Sequence, residues 1–198
     1  MFSRPTPPYP RDGQEDSLDC SQLLAKSPDT APAVLLQLAS SRSAKVRRLL
    51  ACNPAAPIEA LTRLSSDIEW VVRRKVGQSQ GVTPDILARL AHDLHWAVRE
   101  AVAHNTITPE KLVDVLADDP DVWVRSGAAQ RLNTSESILC RLARDPDWAV
   151  RRCVAANPWT PVDTVIMLAQ DDHDMVRRYA MANPNMSDHI RALIQAGA

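Results

Sequence analysis

Two side-chain types recur along this chain at a spacing that would let them do chemistry together. Arginine follows valine at Val46-Arg47, Val72-Arg73, Val98-Arg99, Val124-Arg125, Val150-Arg151 and Val176-Arg177, and every step is 26 residues. Aspartate keeps the same period at Asp67, Asp93, Asp119, Asp145 and Asp171. A guanidinium is a planar fork of donors that grips a carboxylate or a phosphate by two bonds at once. The two columns therefore allow either phosphate binding or an ion-pair ladder inside the protein. From Arg73 on, each arginine has an aspartate six residues before it. If both sit near the start of one helical segment, Asp–Arg pairs form between adjacent units, and buried charges are normally paired. A structural ladder is thus the expectation for Asp67, Arg73, Asp93, Arg99, Asp119, Arg125, Asp145, Arg151, Asp171 and Arg177.

The neighbouring column is less regular and so freer to carry function. Arg48, Arg74, Arg152 and Arg178 are basic, Glu100 and Ser126 interrupt them, and Lys45 and Lys75 lie close by. These four arginines are the candidate partner-binding stripe, against the plainer reading of a solvated face. Trp70, Trp96 and Trp148 are in phase, with Val122-Trp123 at the intervening position. That strict phase favours packing between units over an exposed hot spot. Trp159 is out of phase and in a loop, which makes it the candidate exposed anchor. His92 and His95 flank Asp93, but zinc sites want three or four protein ligands and Asp93 belongs to the ladder column. No metal site is expected. Cys52, Cys140 and Cys153 fall in three different columns and read as small core fillers. No local motif assembles a nucleophile, a base and an orienting group, and no glycine-rich phosphate loop is present.

The elements that position these residues follow from the same period. Leucine recurs at Leu64, Leu90, Leu116, Leu142 and Leu168, and a small residue follows each. Asn53, Asn105, Asn157 and Asn183 form an amide column with Ser79 and Arg131 as departures. Each unit reads as two helices of two to three turns. The first opens at Thr108-Pro109 or Thr160-Pro161, where threonine can cap and proline fits the first helical position. The second opens at the aspartate column, as in Asp145-Pro146-Asp147-Trp148, and stops near Asn157-Pro158. Helices this short are marginal alone, so stacking of neighbours must hold them. The chain divides into a proline-rich flexible tail (1–17), a degenerate N-terminal capping repeat (18–45) and an array (46–198) whose units start at 46, 72, 98, 124, 150 and 176. No run alternates with period two for long enough to suggest a sheet.

Bulk properties narrow the class. With 23 basic and 24 acidic residues the formal net charge is −1, so no global charge draws the chain to nucleic acid or an anionic membrane. The start, Met1-Phe2-Ser3-Arg4-Pro5, has no apolar core of a secretory signal, and no stretch of 18 apolar residues would span a membrane. The four cysteines form no CxxC pair and suggest no disulfide framework, which points to reduced thiols and a cytoplasmic location.

The unit Val150-Arg151-Arg152-Cys153-Val154-Ala155-Ala156-Asn157-Pro158-Trp159-Thr160-Pro161 resembles the leucine-rich repeat variant family, and the resemblance runs over about residues 20–198. It implies an all-α, right-handed solenoid of alternating short α and α/3₁₀ helices, with interaction as its general role. Some relatives carry a cysteine-rich iron–sulfur module. Residues 1–19 hold no cysteine, so no cluster and no cofactor are expected. The spacing also resembles HEAT-like helical solenoids. The expected function is a non-catalytic scaffold binding a protein or peptide. The alternatives are nucleic-acid binding through the basic stripe and a HEAT-like enzyme with a site assembled across repeats.

Overall fold

The computed structural model describes residues 19–196, which form fourteen α-helices and no strand. The segment 1–17 lies outside the described residues. The odd-numbered helices are α1 (Cys20–Lys26), α3 (Ala44–Ala51), α5 (Trp70–Gln78), α7 (Trp96–His104), α9 (Val122–Gln130), α11 (Trp148–Ala156) and α13 (Asp174–Met181). The even-numbered helices are α2 (Pro32–Leu38), α4 (Ile58–Leu64), α6 (Pro84–Leu90), α8 (Glu110–Leu116), α10 (Glu136–Leu142), α12 (Val162–Leu168) and α14 (Asp188–Ala196). Neither helix of a unit is 3₁₀ among the described residues. The 3₁₀ character is confined to the helix ends, where bonds such as Asn157 N to Val154 O close the last turn.

Each unit buries one stripe of each helix. In the even helices the stripe is Leu61 and Leu64, or Leu87 and Leu90. In the odd helices it is Val72 and Val76, Val98 and Val102, or Val150 and Val154, spaced i, i+4. Full burial of one such side chain stabilises by about 1.5–3 kcal/mol. Small residues in phase (Ala51, Gly77, Ala103, Ala129 and Ala155) are buried where odd helices meet. A Cβ on Gly127 would lie 3.1 Å from the Glu100 carbonyl, so glycine is what lets α9 approach α7 there. The odd helices pack directly on one another, whereas the even helices barely touch their even neighbours. The odd helices therefore form the continuous inner layer of the stack and the even helices its outer layer.

The helix starts differ from the sequence expectation in two ways. Thr83 does cap α6, but Thr108 and Thr160 do not cap α8 and α12. Their hydroxyls instead donate to the carbonyls of Val102 and Val154, six residues back, as Thr30 and Thr134 do to Leu24 and Ala128. This second threonine column staples each odd helix to the turn that follows it. Asp145 does not cap α11 with Pro146 at its first position, because that helix begins at Trp148 with Asp147 as its cap. Asp145 lies in the preceding turn, where its carboxylate accepts the Asp147 N–H at 2.8 Å. The aspartates are thus turn residues, not helical ones. No described helix is long and apolar enough to cross a membrane.

Candidate interaction surface

The turn position of the aspartates decides what the arginines can do. Each arginine of the Val-Arg column up to Arg151 reaches forward to the aspartate of the next unit, twenty residues on. The rungs are Arg47–Asp67, Arg73–Asp93, Arg99–Asp119, Arg125–Asp145 and Arg151–Asp171. In all five, Nε donates to Oδ2 at 2.5–2.7 Å and Nη2 to Oδ1 at 2.9–3.1 Å. Nη1 turns back to its own unit and donates to the carbonyl six residues earlier, as Arg99 does to Asp93 at 2.8 Å. One guanidinium therefore ties two consecutive turns together. Arg177 closes the row. It donates to the Asp171 and Asp172 carbonyls, and among the described residues no carboxylate meets it. With these guanidinia engaged, the Val-Arg column offers little to a phosphate.

Burial pushes the Asp67 and Asp93 carboxyls up. The guanidinium bond, a backbone N–H and the nearby positive charges more than offset it, leaving both below the ordinary aspartate range. At Asp171 the hydrogen bond from Arg151 is the largest influence and also lowers it. Depressed carboxylates add stability above the unfolded aspartate value and lose it as pH falls through the folded one.

The second arginine column lies on the odd helices, on the inner side of the row. It is not one continuous basic stripe. Arg74 Nη2 lies 3.8 Å from Glu100 Oε2, Arg152 stacks 5.4 Å from the Tyr179 ring centre, Ser126 is buried, and Arg178 is exposed. Glu100 breaks the column and is the residue the sequence undervalued, for its one visible signal was that interruption. Burial pushes its carboxyl up, against the pull of the Arg74 and His104 charges. A carboxyl raised by folding is stabilising when protonated, so its contribution falls as pH rises from the ordinary glutamate range through the raised value. Glu100→Gln is therefore expected to gain on the wild type as pH climbs through that window, a gain read from urea unfolding at a series of pH values. An equal difference at every pH would contradict it.

Two edges flank the inner face. At the helix starts, Trp70, Trp96 and Trp148 are half-buried. Trp70 stacks on His95 of the next unit with ring centres 3.9 Å apart and an interplanar angle of 6°. Trp148 stacks on His173 at 4.0 Å and 3°. The run continues from His95 to Trp96 at 5.9 Å and from Trp96 to Trp123 at 6.3 Å. Burial lowers the His95 pKa from the ordinary histidine value, which favours the neutral imidazole in the stack. Beside these rings Ile68 is 88% exposed and Leu94 is 100% exposed, at positions where the next two units carry Pro120 and Pro146. At the opposite edge Trp159 is 60% exposed in the loop after α11. The candidate anchor thus sits in the loop beyond the helix end, whereas Arg152 is within α11. The cysteines depart from the core-filler expectation: Cys153 is buried, Cys140 is half-buried, and Cys52 is exposed where the inner face opens into a cleft. None of the four cysteines is in a disulfide.

No known family pattern matches the chain, and no curated protein does. Several solved structures resemble it, two of them as follows. One is a leucine-rich repeat variant with a novel repetitive structural motif, 22% identical over 92% of this chain and 88% of that one, with a TM-score of 0.48. The other is the Escherichia coli protein YibA, 18% identical over 85% of this chain and 75% of that one, with a TM-score of 0.52. The chain is a helical-repeat solenoid. At 18% identity the likeness to YibA concerns the fold alone. In this solenoid the invariant columns face the neighbouring unit, so the surface that can recognise anything else is built from the columns that vary.

Proposed function

We propose that this solenoid is a non-catalytic scaffold that binds a protein or peptide. The observation that carries the reading is the edge at the helix starts. Ile68 and Leu94 stand almost fully in solvent, each two residues before a tryptophan of a run of rings in which Trp70, His95 and Trp96 are stacked and Trp123 is tilted against Trp96. Contiguous exposed apolar surface is uncommon without a partner, and aromatic anchors dominate the energetics of protein interfaces. The Arg–Asp rungs underneath hold the edge rigid, so little ordering is lost on binding.

The rival reading, nucleic-acid binding, draws on Arg48, Arg74, Arg152 and Arg178. It is weakened by Glu100 within that column and by the 24 acidic residues against 23 basic ones. Both readings meet in one comparison. Ile68→Glu/Leu94→Glu is expected to change stability by under about 0.5 kcal/mol, because neither side chain is buried. It should remove partners that the wild-type chain captures from native extract. A charge-reversed Arg48/Arg74/Arg152/Arg178 variant should keep those partners, and the wild type should not retard nucleic acid at about 50 mM salt, where electrostatic binding is strong. Retardation that fades with salt and is lost in the charge-reversed variant would replace the protein-binding reading with the rival.

A further inference from the structure

The edge at the helix starts is apolar in one stretch only. The column that holds Ile68 and Leu94 continues as Pro120, Pro146 and Asp172. Both apolar residues are pinned by their own backbone. Nη1 of Arg73 donates to the Ile68 carbonyl at 3.1 Å, and Nη1 of Arg99 to the Leu94 carbonyl at 3.3 Å. These are rung arginines, which also grip Asp93 and Asp119. Folding either turn back to bury its side chain would break bonds of a rung arginine, so the strip is presented ready-made.

The same stretch is acidic. The turns 66–69, 92–95 and 118–121 contain no lysine or arginine, and their carboxylates outside the rungs are Glu69, Asp118 and Asp121. Asp121 is used as the cap of α9, whereas Glu69, at the same position before α5, makes no cap bond and is exposed. Asp118 is 68% exposed and shares Arg141 at 3.4 Å. Two residues after Asp121 the Trp123 ring is exposed. Carboxylates and an indole face both attract cations, so this rim fits a partner that carries positive charge beside its own apolar side chains. It repels nucleic acid and anionic lipid.

The period of the strip selects the partner's conformation. Packed helices lie about 8–10 Å apart, which sets the step from Ile68 to Leu94 along the stack. A helix rises about 1.5 Å per residue, so its residues i and i+7 share one face at about 10.5 Å. An extended strand repeats on one face every ~6.8 Å and falls out of step after one unit. We infer that this strip docks a basic amphipathic helix of a partner polypeptide, laid along the stack. Apolar residues seven apart sit on Ile68 and Leu94, and the Lys or Arg beside them face Glu69 and Asp121. The inference rests on the scaffold reading above and names the chemistry of its partner.

The test titrates the full chain against labelled three-heptad peptides and reads fluorescence anisotropy. The first peptide has leucine at every seventh position, lysine on both flanks and alanine elsewhere. The second has glutamate for lysine. The third keeps the lysines but spaces the leucines every five residues, which scatters them around the helix. The first is expected to bind with a dissociation constant on the order of 10–100 μM at about 50 mM salt, and the other two about tenfold more weakly or not at all. Ile68→Ser/Leu94→Ser and, separately, Glu69→Lys should each weaken the first peptide about tenfold. Its binding should shift the backbone amide resonances of Ile68, Leu94 and Trp123 and leave that of Trp159 in place. No binding of the first peptide, equal binding of the second or third, or a chain that dimerises through Ile68 and Leu94 would each overturn the inference. The scaffold reading would fall with it only if Ile68→Glu/Leu94→Glu also kept every partner captured from extract.

Discussion

Arg99→Ala is expected to destabilise the solenoid by about 2–4 kcal/mol, and Arg177→Ala by less than about 1 kcal/mol. The two arginines occupy the same column and differ only in what lies ahead of them. Arg99 meets Asp119, with side chains 15% and 7% exposed, and its loss strands a buried carboxylate as well as releasing the Asp93 and Leu94 carbonyls. Arg177 is the open end of the ladder and strands nothing among the described residues. Urea unfolding of both variants checks the contrast. Arg99→Lys should recover less than half of the loss, since an ammonium keeps the charge but cannot make two parallel bonds to Asp119 and a third to the turn behind. Equal costs at Arg99 and Arg177 would mean that the forward rung contributes nothing.

A rung in the middle of an array does more than add a local energy. Stability in a solenoid is close to a sum of unit terms and nearest-neighbour terms. Weakening the α7–α9 boundary should therefore separate the halves, and the expected signature is two unfolding transitions where the wild type has one. The same boundary holds Gly127, whose missing side chain permits the close approach. Acid should weaken the rungs whose carboxylates are lowered by the fold. The contribution of Asp67, Asp93 and Asp171 is present above the ordinary aspartate value and is lost as pH falls through their lowered values.

The repeat was legible because period is a property of sequence. Val-Arg, Leu and Asp recur every 26 residues, and a solenoid follows from units too short to fold alone. Pairing of arginine with aspartate was also within reach, because both columns keep phase. What sequence could not supply was direction. The near aspartate, six residues back, offers Arg99 its carbonyl, while the carboxylate that grips it belongs to Asp119, twenty residues ahead. A turn had to be placed between the helices to know this, and Asp-Pro-Asp was consistent with two helix starts, one at each aspartate. The part played by Glu100 was hidden for a related reason: in the sequence it is an interruption of the basic column, but across the stack it faces Arg74. Exposure was harder still. Ile68 and Leu94 are ordinary hydrophobic letters, and only their place in the turn leaves them in solvent.

Asn157→Ala is expected to cost about 2–4 kcal/mol, which makes the amide ladder the equal of the ionic one. Asn157 is 3% exposed, and its side chain serves three backbone groups: it donates to Ala129 O and Arg131 O and accepts the Trp159 N–H. Alanine leaves a buried carbonyl without its donor at the end of α9 and frees the loop that carries Trp159. Asn157→Asp separates the two tasks. The carboxylate still accepts from Trp159, but it points negative oxygens at two carbonyls. Its pKa in the fold should lie above the ordinary aspartate value, so the variant loses stability as pH rises through that range and regains it in acid, opposite to the native rung aspartates. A flat pH response would mean that the carboxylate turns away to solvent and that the carbonyls tolerate the loss of their donors. Ser79 shows that the array can stack over one junction without an asparagine, since its hydroxyl only accepts the Gly81 N–H. Asn157→Ala should therefore weaken one junction and open the chain there, while the rungs on either side keep the remaining units stacked.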